Sequence, residues 1–323
     1  MRRWNRFPSC LPLQLPVVLA LVVAISVSSH SSPAAPAAPA VPARTDNAVI
    51  HVEVHGHGRP IVFLPGLTCS GAVWDGAVAR YADRNECHVV TLGGFAGEPR
   101  FEGPFLATAR DSLLAYVDAR DLDHPVLVGH SLGGVLAMQM AIARPGGFAG
   151  VVVMDALPFL GGSGDSTATE SSARAAMAPL RDMIRGETRE QYQAFERTSP
   201  YLASLVTDPG DLARVRRWGA DSDPASMADA FYEVGTTDLR EAIAGLRVPV
   251  LVLGTWYGVR DMTTRDRVDS LFRRQYARAP QVQIALADSA RHFLMLDAPG
   301  WTYGRVDAFL AALAPAGGRK GRR

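Results

Sequence analysis

The sequence predicts a doubly wound α/β fold with a mostly parallel sheet and an inserted helical cap. Short apolar runs separated by helical patterns are typical of parallel strands that are buried on both faces. The runs cover residues 61–64, 88–92, 126–128, 151–154 and 250–253 and are followed by an alternating stretch at 282–286, and the helical patterns between them cover residues 72–81, 107–119 and 132–143. Residues 49–54 instead alternate between apolar and polar side chains, which predicts a half-exposed strand at the edge of the sheet. Ligands of such sheets bind beyond the carboxyl ends of the strands.

The cap is predicted over residues 157–246, where the alternation of strands and helices is interrupted. Helical patterns cover residues 170–185, 189–197, 211–218 and 224–234, and Pro200 and Pro209 break them. Because this insertion follows the carboxyl end of a strand, we expect it to cover the ligand site. Residues 45–156 and 247–314 then form the core domain. The aromatic residues of the cap either line an apolar pocket or pack the cap onto the core: Tyr192, Phe195, Tyr201, Trp218, Phe231 and Tyr232.

The first 44 residues are expected to lie outside the fold. Arginines at positions 2, 3 and 6 precede an apolar stretch over residues 11–27, which is typical of a signal peptide, and residues 31–43 form a linker rich in Pro, Ala and Ser. We therefore expect a protein that is exported to the periplasm or secreted. The alternative is an uncleaved N-terminal anchor, through which alone the protein would contact a membrane. Residues 315–323 are expected to form a basic, disordered tail.

The composition narrows the class of partner. The 33 Lys and Arg residues balance 32 Asp and Glu residues, so the formal net charge is +1 and we expect a small-molecule substrate rather than a nucleic acid. No group of His, Cys and Asp residues has metal-ligand spacing, so we expect neither a metal nor a cofactor. Cys69 and Cys87 are predicted near opposite edges of the sheet, which favours two free thiols over a disulfide.

A nucleophile is predicted at Ser131. Residues 129–134, Gly-His-Ser-Leu-Gly-Gly, directly follow the strand at 126–128 and lead into the helix at 132–143. At such a turn the pattern Gly-x-Ser-x-Gly has a physical reason, because the serine adopts a strained backbone conformation and the glycines let strand and helix approach closely. The hydroxyl then points out at the N-terminus of the helix, where negative charge is favoured.

A serine hydroxyl needs a base to remove its proton, and His292 is the candidate. His292 follows the last predicted strand, so it lies at the carboxyl edge and later in the chain than the nucleophile. The remaining histidines lie in the N-terminal segment, before the core, at strand starts on the opposite edge, or in the turn itself: His30, His51, His55, His57, His88, His124 and His130.

Two backbone N–H groups are needed to stabilise the charge that develops on the substrate oxygen. Leu132, the residue after the nucleophile, is expected to supply one of them. The other is expected from the loop after the strand at 61–64, where Pro65 has no N–H and Gly66 lets the backbone turn close to a substrate. Leu67 is therefore the second predicted donor.

These motifs resemble the α/β-hydrolase family over essentially the whole chain after residue 44. The resemblance implies hydrolysis of carboxylic esters, lactones, amides or thioesters, and a serine at position 131 does not fit members that use an aspartate nucleophile. Relatives usually have His-Gly where this chain has Pro65-Gly66, which leaves the second oxyanion donor open. The matching segments are Gly56-x-Gly58-x-Pro60 with residues 63–66, the turn at Ser131, residues 248–254 and residues 290–293.

The acid that completes the triad is left open between two aspartates. The resemblance implies an acid either just after the strand that follows the cap or at the end of the strand at 151–154. Asp155 ends that strand, whereas Asp261 comes late after the strand at 250–253. Asp155 could instead bond a loop and Asp261 could cap a helix. We favour Asp155 because its position needs no rearranged loop.

The leading hypothesis is a serine hydrolase that cleaves a small uncharged ester or lactone through an acyl-enzyme. One alternative is a non-catalytic ligand-binding protein on the same fold. Another is an enzyme that cleaves a carbon–carbon bond or transfers an acyl group. The oligomeric state is not predicted.

Overall fold

The computed structural model describes residues 43–313, with side chains from residue 47 onward. Its centre is an eight-stranded sheet with the order β1-β2-β4-β3-β5-β6-β7-β8. The pairs β1–β2 and β2–β4 are antiparallel, and every other neighbouring pair is parallel. The strands are β1 (Ala43–Asp46), β2 (Ile50–Gly56), β3 (Arg59–Leu64), β4 (Asn85–Leu92), β5 (Val126–His130), β6 (Gly150–Met154), β7 (Val250–Thr255) and β8 (Val282–Ala287).

The helices flank this sheet and also form the insertion between β6 and β7. The core helices before the insertion are α1 (Asp75–Tyr81), α2 (Phe105–Ala119) and α3 (Leu132–Ala143). The inserted helices are α4 (Glu170–Arg185), α5 (Arg189–Thr198), α6 (Pro200–Leu205), α7 (Pro209–Asp221) and α8 (Pro224–Thr236). The helices after it are α9 (Arg265–Gln275), α10 (Leu294–Asp297) and α11 (Pro299–Ala312). No helix within residues 43–313 is both long and apolar enough to cross a membrane.

Two apolar cores lie on the two faces of the sheet. One is formed with α2, α3 and α9, and the other with α1, α10 and α11. Strands β5 and β6 are buried along their full lengths, as expected for central parallel strands covered on both faces. The predicted fold class, with a mostly parallel sheet and a helical insertion, is therefore confirmed.

The prediction of an edge strand at residues 49–54 is wrong. Strand β1 pairs with the outer side of β2, so that Thr45 lies opposite Val52. The short sequence Ala-Arg-Thr-Asp of β1 has no apolar alternation, which is why it read as part of the linker. Ala43 and Arg44 thus belong to the sheet, although the sequence analysis assigned them to the segment before the fold. The rest of that segment and the predicted basic tail lie outside the described residues.

Most prolines of the cap helices stand where a helix begins, whereas Pro179 lies inside α4. Pro200, Pro209 and Pro224 each stand at the start of a helix, where a missing N–H costs nothing. Asp208 and Asp223 cap α7 and α8 with their carboxylates. The helix α6 was missed by the sequence analysis, because six residues are too few to show a helical period.

The cap aromatics divide into buried and exposed groups. Tyr192 and Trp218 are buried, and Trp218 belongs to the apolar core shared with α1 and α11, so it packs the cap onto the sheet domain. Tyr192 packs within the cap itself. Phe195 and Tyr201 are 52% and 63% exposed. Phe231 and Tyr232 are half-buried.

Candidate active site

The turn between β5 and α3 holds Ser131 in the conformation that the sequence pattern predicts. Its φ of 52° and ψ of −120° lie outside the regions that most residues adopt. The Ser131 N–H donates to the Met154 carbonyl at 2.8 Å, which ties the turn to the end of β6. A Cβ at Gly129 would overlap the backbone of Gly133, and a Cβ at Gly133 would overlap the Leu64 carbonyl. Glycine is therefore required at both positions.

Asp155 and His292 meet at the carboxyl edge of the sheet. His292 Nδ1 lies 2.7 Å from Asp155 Oδ2, and the two side chains are 23% and 15% exposed. A carboxylate can only accept, so the proton lies on Nδ1 and Nε2 keeps its lone pair when the ring is neutral. The second carboxylate oxygen, Oδ1, accepts from the Thr255 N–H at 3.1 Å. The ring is thus oriented with a basic nitrogen directed away from Asp155.

The competing acid, Asp261, does not contact this pair. It is exposed in the segment between β7 and α9, and Thr264 rather than Asp261 caps α9. Asp155 is favoured by position and by backbone conformation, since its φ of 47° turns the chain sharply at the end of β6. Of the two aspartates left open by the sequence, the structure brings Asp155 to His292.

The predicted oxyanion donors lie on two segments beside Ser131. Leu132 is the first residue of α3, so its N–H has no acceptor within the helix. Leu67 lies in a turn that the Cys69 N–H closes onto the Gly66 carbonyl at 3.2 Å, and this turn does not use the Leu67 N–H. A Cβ at Gly66 would lie 3.3 Å from the Ser131 Cβ, so the loop passes directly against the nucleophile turn.

His130 connects Ser131 to His292, because it precedes Ser131 in the chain and its ring lies against the ring of His292. Within residues 43–313 the Ser131 hydroxyl makes no hydrogen bond to the His292 ring, whereas the His130 and His292 ring centroids are 4.5 Å apart. In many enzymes the contact between nucleophile and base tightens only when the substrate binds. The structure therefore brings the predicted nucleophile, base and acid into one neighbourhood, with a direct bond between the base and the acid.

Comparison with known proteins identifies the family of this chain. A model of the alpha/beta hydrolase family matches residues 61–305. The chain belongs to the α/β-hydrolase family. It is therefore a hydrolase enzyme, and the resemblance stated from the sequence is confirmed.

Three proteins similar to this chain share between 17% and 26% of its sequence in the aligned regions. A pimeloyl-[acyl-carrier protein] methyl ester esterase from Aeromonas hydrophila subsp. hydrophila is 26% identical over 249 residues, which is 75% of this chain and 92% of the relative. A hydrolase from Pseudomonas aeruginosa PA01 superposes with a TM-score of 0.68 at 18% identity, over 83% of this chain and 98% of the other. The enol-lactonase from Burkholderia xenovorans LB400 gives 0.66 at 17% identity, over 82% and 99%. These two structures share the fold.

The hydrolase site has neighbours whose ionisation is shifted. Burial, together with the charge of His292, lowers the pKa of His130 well below its ordinary value. Burial raises the pKa of Cys69, beside the oxyanion loop, to about 12, and the charge of Glu196 adds to this. Cys69 and Cys87 are both free and buried, so they are protonated thiols at neutral pH.

The segment that carries His292 is fastened to helix α6 of the cap. The Arg291 guanidinium donates to the carbonyls of Ala203 at 2.5 Å and Val206 at 3.1 Å, and the Phe293 N–H donates to the Leu205 carbonyl at 3.3 Å. Both sequence neighbours of His292 are thus bonded to the C-terminal end of α6, where a cation is favoured by the helix dipole.

Asp297 reinforces the same junction between the cap and the His292 segment. Its carboxylate accepts from the Arg291 N–H at 2.8 Å and from the N–H and hydroxyl of Thr207, both at 2.9 Å. The residues just after α6 and just before His292 therefore share one acceptor. Movement of the cap at α6 would move the backbone beside His292.

Sequence reasoning missed Thr255 and His130. Thr255 is the last residue of β7, just before the positions where the family resemblance implied an acid, and it supplies a backbone N–H to Asp155 and a hydroxyl to the Ala290 carbonyl. A backbone donor leaves no mark in the sequence. His130 was set aside as part of the turn, although its place beside Ser131 in the motif was a signal that it lies at the site. Within residues 43–313, the His, Cys, Asp and Glu side chains form no group of three or more that could hold a metal ion.

Proposed function

We propose that this hydrolase cleaves a small uncharged carboxylic ester or lactone through an acyl-enzyme on Ser131. The observation that carries the proposal is the 2.7 Å bond from His292 Nδ1 to Asp155, made beside a serine in the strained turn conformation. Asp155 is the acid of the proposed triad. The esterase name of the Aeromonas hydrophila relative supports the same class of substrate.

The reaction uses these groups in two halves. Ser131 Oγ attacks the ester carbonyl carbon while His292 Nε2 takes the serine proton, and the N–H groups of Leu67 and Leu132 stabilise the oxyanion. The bond to the leaving oxygen then breaks, and His292 returns the proton to the departing alcohol. A water molecule then attacks the acyl carbonyl carbon while His292 takes one of its protons. The bond to Ser131 Oγ breaks, His292 returns the proton to Ser131, and the carboxylic acid leaves. Asp155 stabilises the imidazolium in both halves without taking its proton.

The surface around the His292 segment supports an uncharged substrate. The segment between β7 and α9 runs against α6 and Arg291, since a Cβ at Gly258 would lie 3.5 Å from the Ser204 carbonyl and 3.7 Å from the Arg291 Cβ. These two elements expose Tyr201, Val259 and Met262 to solvent, and the two exposed charges between them, on Arg260 and Asp261, are of opposite sign. Apolar side chains beside a site favour an apolar acyl or alkyl group over a charged one.

The proposal is tested with chromogenic phenyl esters of short acyl chains and with a panel of lactones. Wild-type protein should release product, and Ser131→Ala should lose on the order of 10⁴ or more in turnover while its circular dichroism stays unchanged. Added methanol separates hydrolysis from acyl transfer through the ratio of acid to methyl ester. No product from any ester or lactone, or equal turnover by Ser131→Ala, would contradict the proposal.

We also propose that the enzyme acts outside the cytoplasm. The support is the composition of residues 1–44, where a basic start, an apolar stretch and a Pro/Ala/Ser-rich segment follow one another. Expression of the full chain in a Gram-negative host should give a shortened protein in the periplasmic fraction or the medium, as measured by its intact mass. Full-length protein in the membrane fraction would indicate a retained anchor instead.

A further inference from the structure

The ring of His130 lies between the nucleophile turn and the His292 segment. It is completely buried, and its Nε2 lies 3.0 Å from the backbone carbonyl oxygen of His292. Because a carbonyl only accepts, Nε2 must carry the proton. The ring also packs against the rings of His292 and Phe293, with centroid distances of 4.5 and 4.7 Å. The His130 side chain thus contacts both the backbone and the ring of His292, the proposed base.

The other ring nitrogen of His130 faces the oxyanion loop. A Cβ at Gly66 would lie 2.7 Å from His130 Nδ1. This nitrogen is buried and has no hydrogen-bond partner within residues 43–313. The ring therefore touches the nucleophile turn, the oxyanion loop and the His292 segment.

The charge state of His130 is compatible with a role beside the base. Burial lowers its pKa well below the ordinary value, and the nearby His292 lowers it further. The His130 ring is therefore uncharged at neutral pH, so it does not repel the imidazolium that His292 becomes during the reaction. The Asp155 carboxylate, in contrast, is a charged group in contact with the His292 ring. His292 is therefore held by an anion on its ring and by a neutral donor on its backbone.

We propose that His130 is a positioning residue, whose Nε2–H fixes the His292 backbone and so sets the distance between His292 and Ser131. The hydrogen bond to Asp155 orients the ring of His292, and the hydrogen bonds of Arg291 and Phe293 fasten the residues on either side of it. His130 adds the contact that ties the carbonyl of His292 itself to the nucleophile turn, and a displacement of about 1 Å at a catalytic group costs on the order of 10²-fold in rate. The inference rests on the proposed roles of Ser131 and His292.

His88 provides a matched control for a merely structural histidine. It is also completely buried, its Nδ1 lies 2.8 Å from the Tyr116 hydroxyl, and burial lowers its pKa. It lies on β4 and packs edge-on against Tyr116. A substitution at His88 removes a buried hydrogen bond of similar kind without touching the His292 segment.

The test compares variants at position 130 that keep or lose the donor. In His130→Gln the side-chain amide nitrogen can reach the His292 carbonyl, whereas in His130→Asn the amide is one bond too short and in His130→Met there is no donor. We expect kcat to fall about 10- to 100-fold in the Asn and Met variants with KM within about threefold, and Gln to restore kcat to within about threefold of wild type. His88→Met should lose stability but keep its kcat.

Equal kcat in wild type and His130→Asn would overturn the inference. So would equal losses in the Asn and Gln variants, or a loss of kcat in His88→Met as large as that in His130→Met. If His130→Met does not fold, the comparison of Asn with Gln decides alone. A wild-type protein that turns over no ester or lactone contradicts the proposed function and, with it, this inference; an active wild type with an equally active His130→Asn contradicts this inference alone.

Discussion

The Asp155 carboxylate accepts hydrogen bonds from two sides, the His292 ring and the Thr255 backbone. It is mostly buried, so a change to this one side chain acts directly on the tautomer of the proposed base. Asp155 also has a positive φ, a conformation that asparagine tolerates well. Position 155 therefore allows the carboxylate to be replaced without disturbing the turn.

We predict that Asp155→Asn lowers turnover on the order of 10⁴-fold, because the amide no longer fixes the tautomer or stabilises the imidazolium. The control is Asp261→Asn, which removes the exposed competing aspartate and should stay within about tenfold of wild type. Steady-state kinetics on an ester substrate, with circular dichroism to verify the fold, measures both. The opposite ranking of the two variants would move the acid to Asp261.

Some residues of the site could be predicted from the sequence, and others could not. Ser131 and the glycines around it could be predicted because the pattern is local and its backbone strain has one common use. The choice between Asp155 and Asp261 could not, since it depends on which chain segment approaches His292. The bond from His130 to the His292 carbonyl joins residues 162 positions apart, and no local pattern encodes it.

At the scale of elements, helix α6 and the His292 segment behave as one unit. Arg291 donates to two carbonyls at the end of α6, and Phe293 donates to a third. The sequence predicted the longer cap helices, such as α4, with its bounds, but α6 and β1 have too few residues to show a period. Helix α6 forms the part of the cap that contacts the His292 segment, and β1 forms the edge of the sheet.

We predict that Arg291→Met lowers kcat/KM about tenfold, because it frees α6 from the segment that carries His292 and leaves backbone carbonyls unpaired. Arg260→Met is the control, since among residues 43–313 the Arg260 guanidinium donates a hydrogen bond only to the Tyr257 carbonyl, and it stacks on the ring of the same residue. That variant should stay within about twofold of wild type. Equal kcat/KM values for the two variants would show that the junction with α6 does not affect catalysis.

At the scale of the whole molecule, a buried carboxylate in the cap makes stability depend on pH. Glu196 on α5 is 3% exposed and packs against Gly219 of α7. Burial raises its pKa from the ordinary 4.5 to about 7, and the charge of Glu187 adds to this rise. The folded state therefore binds more protons than the unfolded state between these values, so the Glu196 contribution falls as pH rises from about 4.5 to about 7.

We predict that Glu196→Gln stabilises the protein at pH 8 by on the order of 3 kcal/mol and has little effect at pH 4.5, because the amide needs no ionisation. Urea unfolding at both pH values measures this difference in the free energy of unfolding. Glu190→Gln changes the same charge on an exposed position of α5, where hydrogen bonds to the helix start lower the pKa of the carboxyl, so this variant should gain no stability at pH 8. A Glu196→Gln protein no more stable than wild type at pH 8 would contradict the prediction.

The central claim is that Ser131 is a nucleophile activated by His292 and Asp155. A fluorophosphonate reacts with such a serine and stays covalently attached, so peptide mapping by mass spectrometry identifies the labelled residue directly. The account predicts a single phosphonyl group on the peptide that contains Ser131, slowed labelling in Asp155→Asn, and none in Ser131→Ala. Folded wild-type protein that remains unlabelled, or that is labelled at another residue, would contradict it.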